Sequence, residues 1–362
     1  MIVIIYAWKY LHTSKLFQLS KIIDTAVSVI WVRRFYEAGE FELYIPASAE
    51  MLDFFTQSEE VMLTREDGAT AMIVEDVKLN TDAENGNYIT ISGRSSTALL
   101  ERRIINRQRT FTSTLAETVI RTLIDENVIN PADAARTIAL ISLGAAKGYT
   151  PSINKQITGK TLLETISGIC KEQIWGFDMP FTNGGFVFNL YQGLDRTYGQ
   201  TSRPRVVFSP QWESLSSSEY EHDRRTHFNS VYVAGEGEGL DRKIVHLTAT
   251  ETPSPGGSLL LKEKWLDSRQ TSSNGGEIGS ATYITLLMQQ GFEFIKGNKD
   301  TQLFSGEVIA SRYKFGTDYG LGDKVQVENE YGISGTAYVT EVTEVEDETG
   351  YNVYPKLSEW SV

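Results

Sequence analysis

The sequence predicts a mainly β protein with α/β insertions, and three observations carry that expectation. Residues 31–46, WVRRFYEAGEFELYIP, hold two runs of period-two alternation on either side of a corner. Aromatic residues make up 11% of the 362 positions and include 17 Tyr, a composition that suits pleated sheet. Helical spacing behind capping signals gathers in the middle of the chain and in one later segment, with strand patterns at both ends.

The elements follow in order. The opening MIVIIYAWKY reads as a buried first strand. Its apolar run of about eight residues is short of the ~20 that a membrane helix needs. It also lacks a basic lead and a small-residue cleavage site, so it does not read as a signal peptide. Before the corner, Val29, Trp31, Arg33 and Phe35 share one face, and Ile30, Val32, Arg34 and Tyr36 the other. Glu37, Ala38 and Gly39 form the turn, with Gly39 expected at positive φ, and Phe41, Leu43 and Ile45 then alternate with polar positions up to Pro46. Strands are expected at 61–66, 71–79 and 88–92, joined by turns at Asp67-Gly68 and Asn85-Gly86.

Residues 96–200 change character. Thr114 and Glu117 have capping-box spacing, followed by Ala116, Val119, Ile120, Leu123 and Ile124 at helical period, with Pro131 closing the segment. A second capping box, Thr161 with Glu164, opens a helix that sets Leu163, Ile166 and Cys170 on one face, and a strand returns at 186–191. Strands resume at 205–209, 230–234, 244–250, 304–315, 324–329 and 336–345. Gly- and Ser-rich loops at 253–257 and 272–276 precede a helix from Ser280 to Gly297, whose apolar face is expected to hold Ile284, Leu287, Met288, Gly291, Phe292 and Ile295. The loop region 252–279 is expected to be mobile or to touch a partner. The expected domains are 1–98, an α+β insert at 99–200, and 201–362 with a loop and helix insertion at about 251–298.

Charge and cysteine content narrow the function classes. A net charge of −13 argues against a nucleic-acid binder, which needs a basic face; Arg102-Arg103 and Arg224-Arg225 are the candidates for a local basic patch, and both are short. One cysteine, Cys170, excludes an intrachain disulfide framework and a multi-cysteine zinc site, and suits synthesis in a reducing cytosol.

Four motifs imitate chemistry. Gly159-Lys160-Thr161 has Asn154 where a phosphate loop needs glycine, and Thr161 is already a helix cap. Gly235, Gly237 and Gly239 follow a strand, but Glu236 and Glu238 would repel a pyrophosphate. His222 and His227 stand five apart, the wrong spacing for a metal pair on one helix face, and Arg224 and Arg225 disfavour a cation. Asp82, Glu84 and Asn85 lack the closing bidentate Glu of a calcium loop. Cys170 reads as a small buried hydrophobe. No catalytic, cofactor or metal set is expected.

Residues 31–46 also resemble the opening segment of a siphophage tail-hub family of Gram-positive phages and prophages. Further similar stretches follow in order: AMIVED at 71–76, GRS at 93–95, LERR at 100–103, VINP at 128–131, TGKTLL at 158–163, VFSP at 207–210, VAGEGEG at 233–239 and LGDKV at 321–325. Residues 7–19 are longer and less regular than the family pattern. The resemblance implies two tube-type β-barrel domains plus a small α+β domain, similar to baseplate hubs and secretion-spike hubs, and to the N-terminal hub part of tail-associated lysins and tail-tip proteins. It implies a non-enzymatic homotrimer in the virion tail tip, made in the host bacterial cytoplasm. Its partners would be the distal tail protein, tail tube and tape-measure proteins, and tip or receptor-binding proteins. Phage DNA would pass without specific binding, and no stable membrane insertion is implied. Arg33, Arg34, Glu37, Glu40 and Glu42 then become candidates for subunit-to-subunit charge pairing. The alternatives are a tail-associated cell-wall hydrolase using a carboxylate pair and a host-glycan-binding receptor module using exposed Tyr and Trp.

Overall fold

The computed structural model describes residues 3–57, 60–66, 68, 70–84, 86–249, 259–298, 301–308 and 312–358. The first segment folds into β1 (Ile5–Leu11), β2 (Leu16–Ile23), β3 (Ser28–Arg34), β4 (Glu40–Pro46), α1 (Ala49–Thr56), β5 (Val61–Arg65), β6 (Ala71–Asp82) and β7 (Gly86–Ser95). These strands lie antiparallel in the order β3-β4-β7-β6-β5-β1-β2. Alternation does what it predicted: Trp31, Phe41, Leu43 and Ile45 point inward with Ile5, Ala7, Leu63, Met72, Ile89 and Ile91. Burying side chains of this size contributes about 1.5–3 kcal/mol each. Ser48 Oγ accepts from the Met51 N–H at 3.1 Å and starts α1, which lays Phe54 and Phe55 on the same core. The irregularity at residues 7–19 takes the form of a register shift between Ala7 and Trp8 in the β1–β2 pairing. The turn residues Asp67 and Asn85 lie outside the described residues; Gly86 has φ of +91°.

The insert comprises β8 (Arg109–Leu115), α2 (Ala116–Ile124), β9 (Ile141–Leu143), β10 (Ser152–Ile157), α3 (Leu162–Gln173), β11 (Gly176–Asp178), β12 (Phe181–Thr182) and β13 (Gly185–Tyr191). Its core joins Val119, Ile120, Leu123, Ile166, Cys170, Trp175, Phe186 and Phe188. The first capping box is corrected. Thr114 lies within β8, and its hydroxyl donates to the Thr112 carbonyl. Glu117 instead turns away, to accept the N–H groups of Lys147, Gly148 and Tyr149 at 2.6–3.0 Å. That loop is a stronger attractor than the helix end because three backbone donors converge on one buried carboxylate. The second box caps as expected, Thr161 Oγ1 accepting from Glu164 N–H at 3.1 Å.

The remaining strands are β14 (Val207–Phe208), β15 (Leu215–Asp223), β16 (Ser230–Ala234), β17 (Ile244–Thr248), β18 (Glu263–Asp267), β19 (Thr301–Val308), β20 (Lys324–Glu328), β21 (Ser334–Asp347) and β22 (Gly350–Leu357), with α4 at Ser280–Gly297. β15 and β19 form an antiparallel ribbon from which β16, β17, β18 and α4 project as a sheet-and-helix unit. Ile284 and Phe292 are 39% and 50% exposed, so the expected helix face is rotated: Tyr283, Leu286, Leu287, Gly291 and Ile295 are the buried positions. Of the loop region 252–279, residues up to 258 lie outside the described residues. Residues 263–267 pair as β18 with β16, and Ser268 and Thr271 are buried.

β20, β21, β22 and β14 enclose Val206, Phe208, Val325, Val327, Ala337 and Val339. β21 then pairs antiparallel with β3, Arg34 opposite Glu341 and Trp31 opposite Glu344. Strands from the two ends of the chain therefore form one sheet, eleven strands among the described residues.

Candidate functional site

The corner between β3 and β4 is where the first segment, the insert and the last segment meet. Phe35 leaves β3 fully buried, its N–H donating to the Thr340 carbonyl at 2.9 Å and its ring 5.5 Å from that of Tyr191. A Cβ on Gly176 or on Gly322 would stand 2.3 Å from this ring. Glycine in the insert and glycine before β20 thus leave a slot that Phe35 fills. Gly39 is needed for a different reason from the one expected. It is not at positive φ; a Cβ there would meet the Val32 carbonyl oxygen at 2.2 Å. The corner is locked by Ser95, whose Oγ accepts from the Gly39 N–H at 2.9 Å and whose N–H donates to the Gly39 carbonyl.

Ion pairs run along the β3–β21 seam on both faces of the sheet, because successive side chains alternate. On the inner face Glu344 accepts from Arg33 Nε at 2.6 Å, Arg65 Nη1 at 3.2 Å and the Tyr351 hydroxyl at 2.8 Å. The Glu344 and Arg65 side chains are 4% and 5% exposed. A carboxylate this deep stays in place only because several donors satisfy it. Burial, followed by the Glu344 carboxylate, pushes the Tyr351 hydroxyl well above the usual phenol range. On the other face Arg34 donates from Nε to Glu341 at 2.7 Å and from Nη1 to Glu40 at 2.6 Å. The hydrogen bond to Glu40 is the main reason the Arg34 guanidinium holds its proton more tightly, and it keeps Glu40 below the ordinary carboxylate range.

The structure places the five charged residues singled out in the sequence as follows. Arg33, Arg34 and Glu40 lie in the seam. Glu37 pairs with Lys171 near the end of α3, tying the corner to the insert. Glu42 is exposed on β4 with no ion-pair partner among the described residues. Sequence reasoning missed Phe35 as the plug, Gly176 and Gly322 as its slot, and Arg65, Glu341, Glu344 and Tyr351 as seam partners. Arg34 and Glu341 are 307 positions apart, and no local periodicity reports such a pairing. A cleft of about 200 Å³ opens beside the corner, lined by Arg33, Thr70, Ser95, Asp178 and Tyr191 among others.

This arrangement joins segments. The carboxylates of Glu40, Glu341 and Glu344 are matched by guanidinium groups. The imitations of chemistry are occupied structurally: Lys160 pairs with Glu164, Asn154 accepts from the Ser113 N–H, and Glu236 accepts from the Ser273 N–H. His222 lies 3.3 Å from Arg224 Nε, and Asp82 accepts from the Glu84 N–H in a turn. Among the described residues no three His, Cys, Asp or Glu side chains are grouped to hold a metal, and no helix is long and apolar enough to cross a membrane.

Three solved structures share this fold over nearly their whole length. They are a tail protein from Neisseria meningitidis MC58 (13% identity, TM-score 0.56, 98% of this chain and 96% of that one), the 43 kDa tail protein of prophage MuSo2 from Shewanella oneidensis (14%, 0.56, 98% of each), and prophage tail protein gp18 from Listeria monocytogenes EGD-e (12%, 0.55, 100% and 95%). At these identities the likeness is one of fold. A search of curated proteins finds none with a matching sequence. Residues 10–356 match the family described as Siphovirus ReqiPepy6 Gp37-like protein. The chain therefore belongs to this siphovirus tail protein family.

Proposed function

We propose that this chain is the structural hub of a phage tail tip. Three copies form a ring that joins the tail tube and distal tail ring to tip or fibre proteins and encloses part of the DNA-ejection channel. Residues 1–98 and 201–362 are the two tube-type β-barrel domains, and 99–200 is the insert between them. The protein acts in the virion, after synthesis in the host cytoplasm, and its role is structural, not catalytic.

The observation that supports this reading best is the β3–β21 pairing, which joins the two ends of the chain edge to edge in one sheet. β2 lies at the far end of that sheet. An edge strand presents open main-chain donors and acceptors, so further copies could continue the sheet around a ring. Arg33, Arg34, Glu37 and Glu40 have partners within the chain, so among the five charged residues Glu42 is the best placed to pair with a neighbouring subunit. The net charge of −13 suits a channel that repels passing phosphates.

Mass measurement of the purified chain, combined with imaging of assembled tails, tests the hub. Three copies in a ring are expected; single copies in both preparations overturn it. Glu42→Lys should weaken trimer assembly, and unaltered assembly removes Glu42 from the interface. Host cell-wall zymography tests the structural role: clearing that a single carboxylate substitution abolishes would establish a hydrolase instead.

A further inference from the structure

The unit formed by β16, β17, β18 and α4 has two unlike faces. α4 covers one of them, where Val231, Val233, Leu247, Leu287 and Ile295 pack. On the other, register brings three rings into one row: Tyr232 stands opposite His246 of β17 and opposite Trp265 of β18. His246 and Tyr232 stack with centroids 4.2 Å apart and planes 7° from parallel. Ser230 Oγ lies 2.8 Å from His246 Nε2 and fixes the imidazole. Trp265 is 50% exposed. Arg242 sits 5.6 Å from its ring centre and is already held by Asp267 at 2.6 Å and by the Ala234 and Gly235 carbonyls. Glu263 is exposed two residues before Trp265 on the same face of β18, opposite Ser230.

The row crosses three strands, about 10 Å at ordinary strand spacing. Folding does not require it, because the core of this unit is on the α4 side and a solvated sheet face is normally polar. Its chemistry selects an occupant. Ring faces attract polarised C–H groups, and the flanking carboxylates accept hydrogen bonds from hydroxyls. Phosphate polymers and nucleic acid need a basic groove beside stacking rings, whereas the guanidinium groups near this row, Arg242 and Arg269, both lean on Asp267. A sugar ring with an apolar C–H face and a hydroxyl rim fits all three conditions.

We propose that this open sheet face binds a neutral polysaccharide, with Trp265 and the Tyr232–His246 pair stacking on sugar rings and Glu263 accepting hydroxyl hydrogen bonds. The site is independent of the hub reading: a ring that binds no glycan and a glycan binder that forms no ring are distinguishable results.

The test applies the full chain to an array of neutral oligosaccharides built from hexoses, deoxyhexoses and N-acetylhexosamines, with a polyol phosphate polymer and an unrelated protein as further probes. Retained glycans are then titrated by tryptophan fluorescence. Retention of at least one neutral glycan is expected, weakened roughly tenfold or more by Trp265→Ala and partly recovered in Trp265→Phe. His246→Ala provides a second variant should Trp265→Ala fail to fold, and it should weaken binding in the same direction. The proposal is overturned by no neutral glycan binding at millimolar concentration, by folded variants that bind like the native chain, or by preference for the phosphate polymer or the protein.

Discussion

Removing Glu344 probes the seam where its geometry is least forgiving. Glu344→Ala deletes the acceptor of two charge-assisted hydrogen bonds, from Arg33 at 2.6 Å and Arg65 at 3.2 Å, and of the Tyr351 hydroxyl bond. Breaking a buried ion pair by removing one partner costs about 3–5 kcal/mol. Arg33 is 26% exposed and can recover water, which places the loss near the lower end, about 3 kcal/mol. Glu344→Gln keeps the size and an acceptor oxygen, so it should cost about 1–2 kcal/mol. Urea unfolding followed by tryptophan fluorescence, to which Trp31 opposite Glu344 on β3 contributes as one of six Trp, measures the loss. With the urea m-value of about 3 kcal/mol/M or more expected of a chain this long, the midpoint should fall by up to roughly 1 M in Glu344→Ala. A double-mutant cycle with Arg33→Ala should give a coupling of about 1–3 kcal/mol. A shift under about 1 kcal/mol with no coupling would show that the β3–β21 junction does not depend on this carboxylate.

Phe35→Ala should destabilise the chain by about 3–5 kcal/mol, because the slot between Gly176 and Gly322 is too tightly framed to collapse; a loss below about 1 kcal/mol in chemical denaturation refutes the plug. Burial pushes the Cys170 thiol far above its ordinary range, so an aromatic disulfide reagent should label it only when the protein unfolds. Rapid stoichiometric labelling of native protein contradicts that burial. Glu172, which shares Lys155 with Glu293, has a raised pKa, chiefly from burial with Lys155 opposing. Its folded state therefore holds the proton more tightly than the unfolded chain, and its contribution to stability is lost as pH rises from the ordinary value of 4.5 towards the raised one. The melting-temperature difference between Glu172→Gln and the native chain should move in favour of the variant across that window; a difference independent of pH refutes the assignment.

Alternation made the β3–β4 corner legible, since Trp31, Phe41, Leu43 and Ile45 fall on the inward face that a period of two requires. Thr161 was legible as a cap because its partner is three residues away. Thr114 and Glu117 have the same spacing, yet three N–H groups some 30 residues distant outcompete the helix end. Local rules fail where a buried charge finds a better partner across the fold. The α4 face was misplaced for a related reason: Tyr283, absent from the expected apolar face, is buried because its hydroxyl donates to the Thr271 carbonyl and accepts from the Glu236 N–H. The seam and the Phe35 slot were not legible at all. Their partners lie in the insert and near the other end of the chain, and a glycine that makes room for a ring looks in sequence like any turn glycine.

The most direct test of the hub is electron cryo-microscopy of intact tails carrying this chain. The account predicts three copies in a closed ring coaxial with the tail tube at its tip, with β3 and β21 paired within each copy. Density for this chain as a single peripheral copy, or its absence from the tip of the tail, would contradict it.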